Sequence, residues 1–267
     1  NDTSGVGQVE IMFDYASGPV SASVDFDLGG DFATNGNTPT LEEAVVTYDL
    51  GGGLSVSGGK MLSYLGFEAY DPINMYQYSN AHADSYGVLY DGYATGASVD
   101  YGTDMFSIGI WTSITNSSDM EYALAFTGVE NLTVKAIIAE YGKGSITSTG
   151  NEGKSTYWAS YQFEKLLLAV ELAEVDGATA TAPDAEGFLV MGNYALTDKA
   201  AVTLRFSNTE VAVPGSPATV DEDKITISPS YVFNDNFSGL LEYSTFDQSG
   251  TNAETEAYLA AEVIYTF

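Results

Sequence analysis

Val20-Ser21-Ala22-Ser23-Val24-Asp25-Phe26-Asp27-Leu28 decides the fold. Side chains of an extended strand alternate between its two faces. Val20, Ala22, Val24, Phe26 and Leu28 therefore share one face, and Ser21, Ser23, Asp25 and Asp27 share the other. The second face cannot enter a dry core, because buried carboxylates without partners are costly. The first face is uniformly apolar. Such a strand needs water on one side and an apolar medium on the other.

The same alternation recurs in both directions from this stretch. Ile11, Phe13 and Tyr15 oppose Glu10, Met12 and Asp14, and Val46, Tyr48 and Leu50 oppose Glu43, Thr47 and Asp49. Further on, Leu168, Val170 and Leu172 oppose Glu171, and Val202, Leu204 and Phe206 oppose Thr203, Arg205 and Ser207. Leu241 and Tyr243 oppose Glu242, and the final stretch sets Leu259, Ala261, Val263, Tyr265 and Phe267 on one face. The longest apolar run is Leu166-Leu167-Leu168-Ala169-Val170. That is far short of the ~18 residues a membrane-spanning helix needs, whereas a barrel strand needs only ~9–11. The connections alternate too. Glu164-Lys165, Thr197-Asp198-Lys199 and Asn234-Asp235-Asn236 are tight, and the polar stretches 143–154, 175–186, 208–223 and 247–253 lie between them.

These features predict one all-β domain over residues 1–267, a transmembrane antiparallel β-barrel in a bacterial outer membrane. Short turns face the periplasm and long loops the exterior. Tyr265 and Phe267 act as an assembly signal at the end of the last strand. Fifteen segments read as clear strands, with Tyr86–Tyr90 ambiguous. Because single-chain bacterial barrels hold even numbers, about 16 strands are expected, the N-terminal residues being the open place. Asn1-Asp2-Thr3-Ser4 reads as a mature N-terminus.

The chain of 267 residues carries 37 Asp and Glu against 8 Lys and Arg, a net charge of -29. So acidic a surface repels phosphate backbones, which excludes nucleic acid as a partner. Hydrophobic residues make up 45%, which argues against disorder. With no cysteine, disulfides and thiolate metal sites are impossible.

Residues 41–80 carry more specific text: Leu41-Glu42-Glu43-Ala44, Gly51-Gly52-Gly53-Leu54-Ser55-Val56, Gly59-Lys60, Leu65-Gly66-Phe67-Glu68, Asn74 and Tyr78-Ser79. This stretch resembles the OmpL-like β-barrel porin family. The resemblance implies a general-porin-type barrel, a homotrimer embedded in outer-membrane lipids, and a long loop entering the pore.

Residues 63–83 are too apolar for a loop immersed in water, with Leu65, Phe67, Tyr70, Ile73, Met75, Tyr76 and Tyr78. They are expected to fold into the lumen and narrow it. Glu68 and Asp71 would face basic wall residues such as Lys60 and Arg205, setting a transverse field. Lys60 reaches the lumen only if a bulge at Gly58-Gly59 turns it inward. The other wall candidates are Asp25, Asp27, Glu43, Lys135, Glu171 and Glu242. Lumenal carboxylates favour cations, so the expected function is passive diffusion of small hydrophilic solutes with cation preference. A substrate-specific channel with aromatic tracks for sugars and a structural or adhesive barrel with a plugged lumen are the alternatives. No cofactor and no enzymatic activity are expected. His82, the single histidine, has no Gly-x-Ser-x-Gly segment to pair with. Asp31 and Asp221-Glu222-Asp223, read as outer loops, leave weak Ca²⁺ or Mg²⁺ binding open beside plain solvated charge.

Overall fold

The computed structural model describes residues 9–28, 40–68, 72–82, 89–115, 118–142, 151–177, 183–212, 218–250 and 254–266. They form 15 strands: β1 (Glu10–Ser17), β2 (Val20–Asp27), β3 (Thr40–Gly51), β4 (Leu54–Leu62), β5 (Tyr93–Gly102), β6 (Phe106–Ser113), β7 (Met120–Phe126), β8 (Leu132–Glu140), β9 (Asn151–Phe163), β10 (Leu166–Gly177), β11 (Ala185–Ala195), β12 (Ala200–Ala212), β13 (Thr219–Asn234), β14 (Phe237–Ser249) and β15 (Glu254–Tyr265). Each pairs antiparallel with its neighbour in sequence, giving one sheet in the order β1 to β15. A short 3-10 turn, Pro72–Asn74, interrupts the connection between β4 and β5.

The two faces of the sheet are inverted relative to a water-soluble protein. Apolar side chains on one face stand exposed: Leu204 at 57%, Ile225 at 58%, Leu259 at 80%. On the other face Thr203, Thr226, Ser228, Arg205, Glu171 and Glu242 are buried. A continuous exposed apolar belt of this extent requires hydrocarbon around it. The polar face closes around the β4–β5 connection, whose residues touch β5 through Asp100 and β14 through Glu242. One connection can reach both strands only if the sheet curls around it.

At one end of the sheet the strands meet in tight turns, such as Gly51–Leu54, Phe163–Leu166 and Asn234–Phe237. Gly53 shows why the first is glycine-only. Its φ is +86°, and an added Cβ would lie 2.1 Å from the carbonyl oxygen of Gly102.

The described residues form 15 strands where about 16 are expected, and residues 1–8, the place for an additional pairing segment, lie outside them. Other expectations are corrected. Leu89 and Tyr90 are not strand residues. The outer stretches are shorter than expected, because β9 to β14 continue into them; β13 has 16 residues. Asp221, Glu222 and Asp223 accordingly lie within β13, not in a loop. At those ends the outer face carries Glu174, Glu186, Glu210 and Asp221 while Val175, Ala185, Val211 and Val220 are buried on the inner one, so the apolar side switches while the backbone ladder continues.

Candidate functional site

The described residues of the connection between β4 and β5, 63–68, 72–82 and 89–92, lie inside the sheet and are held to its inner wall as a strap. Its apolar side chains enter three clusters on that wall. Leu65 packs with Ile137, Ala139 and Tyr141. Ala81 and Phe67 pack with Ala169, Leu189 and Met191, and Leu89 and Tyr90 with Ala173, Val175, Ala185 and Val211. The alanines among these wall residues leave room for the strap, as does Gly187, whose Cβ would stand 2.5 Å from Leu89 and 2.8 Å from His82.

Lodging backbone inside a wall requires partners for its amides and carbonyls. Wall carboxylates take the amides: Glu121 accepts from Tyr64 N at 2.8 Å, Glu171 from Phe67 N at 3.0 Å, and Glu242 from Ser79 N at 2.9 Å. Wall donors take the carbonyls. Thr203 donates to Tyr76 O, Arg205 to Ser79 O and Asn80 O, Lys224 to Asn80 O, and Ser207 to Ala81 O. Over Tyr76–Ala81 the strap thus runs alongside β12, whose inward Thr203, Arg205 and Ser207 take its carbonyls together with Lys224 of β13. Lys154 closes the far end, pairing with Asp91 at 2.7 Å and donating to Tyr90 O.

At the centre Arg205 pairs with Glu68, their side chains 0% and 3% exposed. Glu68 also accepts from Gln77 Nε2 at 2.6 Å and from Ala81 N at 2.7 Å. The expected transverse field is corrected here: the opposite charges touch and cancel rather than face one another across an aperture. Asp71 lies outside the described residues, as does Phe267. Tyr265 stands exposed at the end of β15, in register with Phe237.

Lys60 is also corrected. It pairs with Ala44 and Thr95 without a register shift at Gly58-Gly59, which keeps it on the face of Val46 and Tyr48, and it donates to Leu41 O. Lys135 is on the inner face, its ammonium 5.1 Å from the Trp158 ring. Asp25 and Glu43 stand directly opposite each other in register, with Glu10 opposite Asp27 one row away. Lys154, Asp91, Glu121 and Tyr90 were not singled out by sequence. Lys154 sat in a stretch read as loop, and nothing local marks Glu121 as an amide acceptor.

The strap's titratable groups reflect their enclosure. Burial, aided by the nearby positive charges of Arg205 and Lys224, pulls His82 down to about 3, so its ring is neutral. Nδ1 of that ring bonds the Thr209 hydroxyl at 2.9 Å, while Nε2 has no hydrogen-bond partner. Tyr90 is pushed up by burial and by the carboxylate of Glu171, to which it donates. Burial and the bond to Asp100 raise Tyr64; burial and Asp91 raise Tyr141. All three phenols stay protonated and serve as donors.

The other half of the lumen has a different character. The inner face of β1–β3 carries Glu10, Asp14, Asp25, Asp27, Glu43 and Asp49, and these strands contain no Lys or Arg. A cavity of about 370 Å³ lies against this face, bordered by Asp14, Ser21, Ser23 and Thr47. The strap's hydrogen bonds run along the wall from β5 to β14; on β1–β3 Asp25 is buried and Asp14 stands exposed beside the cavity.

Residues 15–141 match the family model described as phosphate-selective porin O and P. No curated protein matches the chain. Among solved structures, Salmonella typhi OmpF in complex with daunomycin aligns at TM-score 0.74 and 15% identity, covering 99% of this chain and 93% of that one. A loop L8 deletion mutant of OmpT, an outer-membrane protein of Vibrio cholerae, gives 0.69 and 16%, with 98% and 97% covered. The anion-selective porin from Comamonas acidovorans gives 0.62 and 12%, with 98% and 87% covered. At such identities the likeness speaks for the fold alone. In fold, the chain is a porin-type outer-membrane β-barrel.

Proposed function

We propose that the protein is a passive, non-enzymatic diffusion channel for small hydrophilic solutes with a preference for cations. One observation carries this reading: the β1–β3 wall is acidic and contains no basic residue, whereas Arg205 and Lys154 are consumed in holding the strap. Carboxylates lining a narrow passage raise the local cation concentration and exclude anions. Homotrimeric assembly belongs to the same proposal and rests on the resemblance to general porins; chemical cross-linking in detergent tests it.

The family match favours a second reading, a phosphate-selective pore. Its residues argue otherwise. Within 15–141 the basic residues are Lys60 and Lys135, the first on the outer face and the second over Trp158. Phosphate recognition draws on convergent Arg or Lys side chains, and these two do not converge. The test is planar-bilayer permeability with the acidic wall neutralised. Asp14→Asn, Asp27→Asn and Glu43→Gln together should lower the potassium-to-chloride permeability ratio several-fold, and an unchanged ratio would remove the wall from the account.

A further inference from the structure

We propose that the pore selects organic ammonium ions, cations joined to an apolar or aromatic body, over inorganic cations and neutral solutes. The proposal rests on the cation-channel reading and names the substrate class of that same passage. Its evidence is the free side of the strap. From Tyr76 to Ser79 exposure alternates: Gln77 is buried at 1% and Ser79 turns to Glu242, while Tyr76 and Tyr78 stand 38% and 50% exposed. Ile73, at the preceding turn, is also exposed. The stretch is a run of bends whose Gln77 and Ser79 side chains hold Glu68 and Glu242, which leaves the Tyr76 and Tyr78 rings as its exposed side.

Two tyrosine rings projecting into water inside a channel call for a partner, and their surroundings specify its charge. Ser79 is tied to Glu242, which pairs in register with Ala260 of β15. On the inner face of β15 the residues flanking Ala260 are Tyr258 and Glu262, with Glu256 beyond. Tyr258 is 52% exposed, and Glu262 Oε2 has no hydrogen-bond partner. The wall next to Ser79 therefore carries Glu242 and the β15 row of Tyr258, Ala260 and Glu262, with Glu256, which accepts from the Tyr258 hydroxyl, farther along the same face. Arg205 and Lys224 are the basic residues on this side, and Arg205 is paired with Glu68. Lys224 reaches the strap backbone instead. It is directed to Asn80 O, in the same row as Phe246 and Glu256.

Aromatic faces attract cations through the ring quadrupole, and quaternary ammonium groups are bound best where several rings and a carboxylate converge. An inorganic ion keeps its hydration shell and gains little from a ring. A sugar would use the rings but has no charge to offer the carboxylates. An organic ammonium uses both.

The experiment is current block in planar bilayers by three probes of matched size or charge: benzyltrimethylammonium, tetramethylammonium and benzyl alcohol. Benzyltrimethylammonium should block potassium current at roughly tenfold lower concentration than tetramethylammonium, and benzyl alcohol should not block. Tyr78→Leu and Tyr76→Leu should each weaken that block by roughly two- to fivefold, while Tyr78→Phe should retain it. Equal block by the two ammonium ions, or block unaffected by either leucine variant, overturns the proposal while leaving cation preference intact. An anion-selective reversal potential in KCl alone, with no probe present, overturns the underlying reading and this proposal with it.

Discussion

Replacing Arg205 with methionine removes a cation whose partners all lie on or beneath the strap. The guanidinium holds Glu68, Ser79 O at 2.8 Å, Asn80 O at 3.0 Å and Thr226 Oγ1 at 3.2 Å. Arg205→Met strands the buried Glu68 carboxylate with only Gln77 and Ala81 N as donors. Stranding one member of a buried ion pair costs about 3–5 kcal/mol. The sheet does not depend on these bonds, because its ladder is backbone to backbone from β1 to β15. The loss therefore falls on strap docking, with the central anchors gone and Glu121, Glu171 and Lys154 still gripping the ends. The assay is single-channel recording together with the heat-modified gel shift. Arg205→Met should open into larger, noisier conductance levels with a barrel that still migrates folded. Adding Glu68→Gln removes the stranded charge, so the double variant should be quieter than Arg205→Met alone, a coupling of about 1–3 kcal/mol. Wild-type conductance and noise in Arg205→Met would refute the reasoning, as would a double variant worse than the sum of the singles.

Deleting 66–78 should raise unit conductance in bilayers, since the strap occupies lumen volume; unchanged conductance would mean that the strap does not narrow the path. His82 gives a pH dependence. The unfolded imidazole binds a proton below about 6.5, whereas the buried ring stays neutral down to about 3. Docking is therefore complete above pH 6.5 and weakens as pH falls toward 3, by roughly 1.4 kcal/mol per pH unit. Protease nicking of the strap should rise between pH 7.5 and pH 5 in the wild type and stay flat in His82→Phe. On the outer face Glu174, Glu186, Glu210 and Asp221 stand directly opposite one another across β10–β13. Like charges in register repel, so Glu210→Gln should raise thermal stability slightly at low salt, and a fall in stability would contradict that register.

The fold was legible because the lipid boundary imposes alternation on every strand that crosses it. Val20–Leu28 and Val202–Ser207 announce themselves by the same rule. At the outer ends of β10–β13 the apolar side switches, and β13 extends through Asp221–Asp223, which hydropathy assigns to a loop. The strap was legible in part. Its apolar content marked it as enclosed, and Glu68 and Arg205 were named as facing charges. That they touch depends on strap depth, a long-range property invisible to local pattern. Lys60 misled because a glycine pair suggests a bulge, yet the pairing with β3 and β5 runs through it unbroken. Lys154 and Glu121 had no local signal, since their partners are backbone atoms about 60 residues away.

The central claim is that permeation follows the acidic β1–β3 wall, and ion selectivity measures it most directly. The purified protein in a planar bilayer, across a tenfold KCl gradient, should give a zero-current potential of the sign set by potassium. Replacing chloride with phosphate should leave that potential nearly unmoved. A potential set by the anion, or a large shift on adding phosphate, would contradict the account.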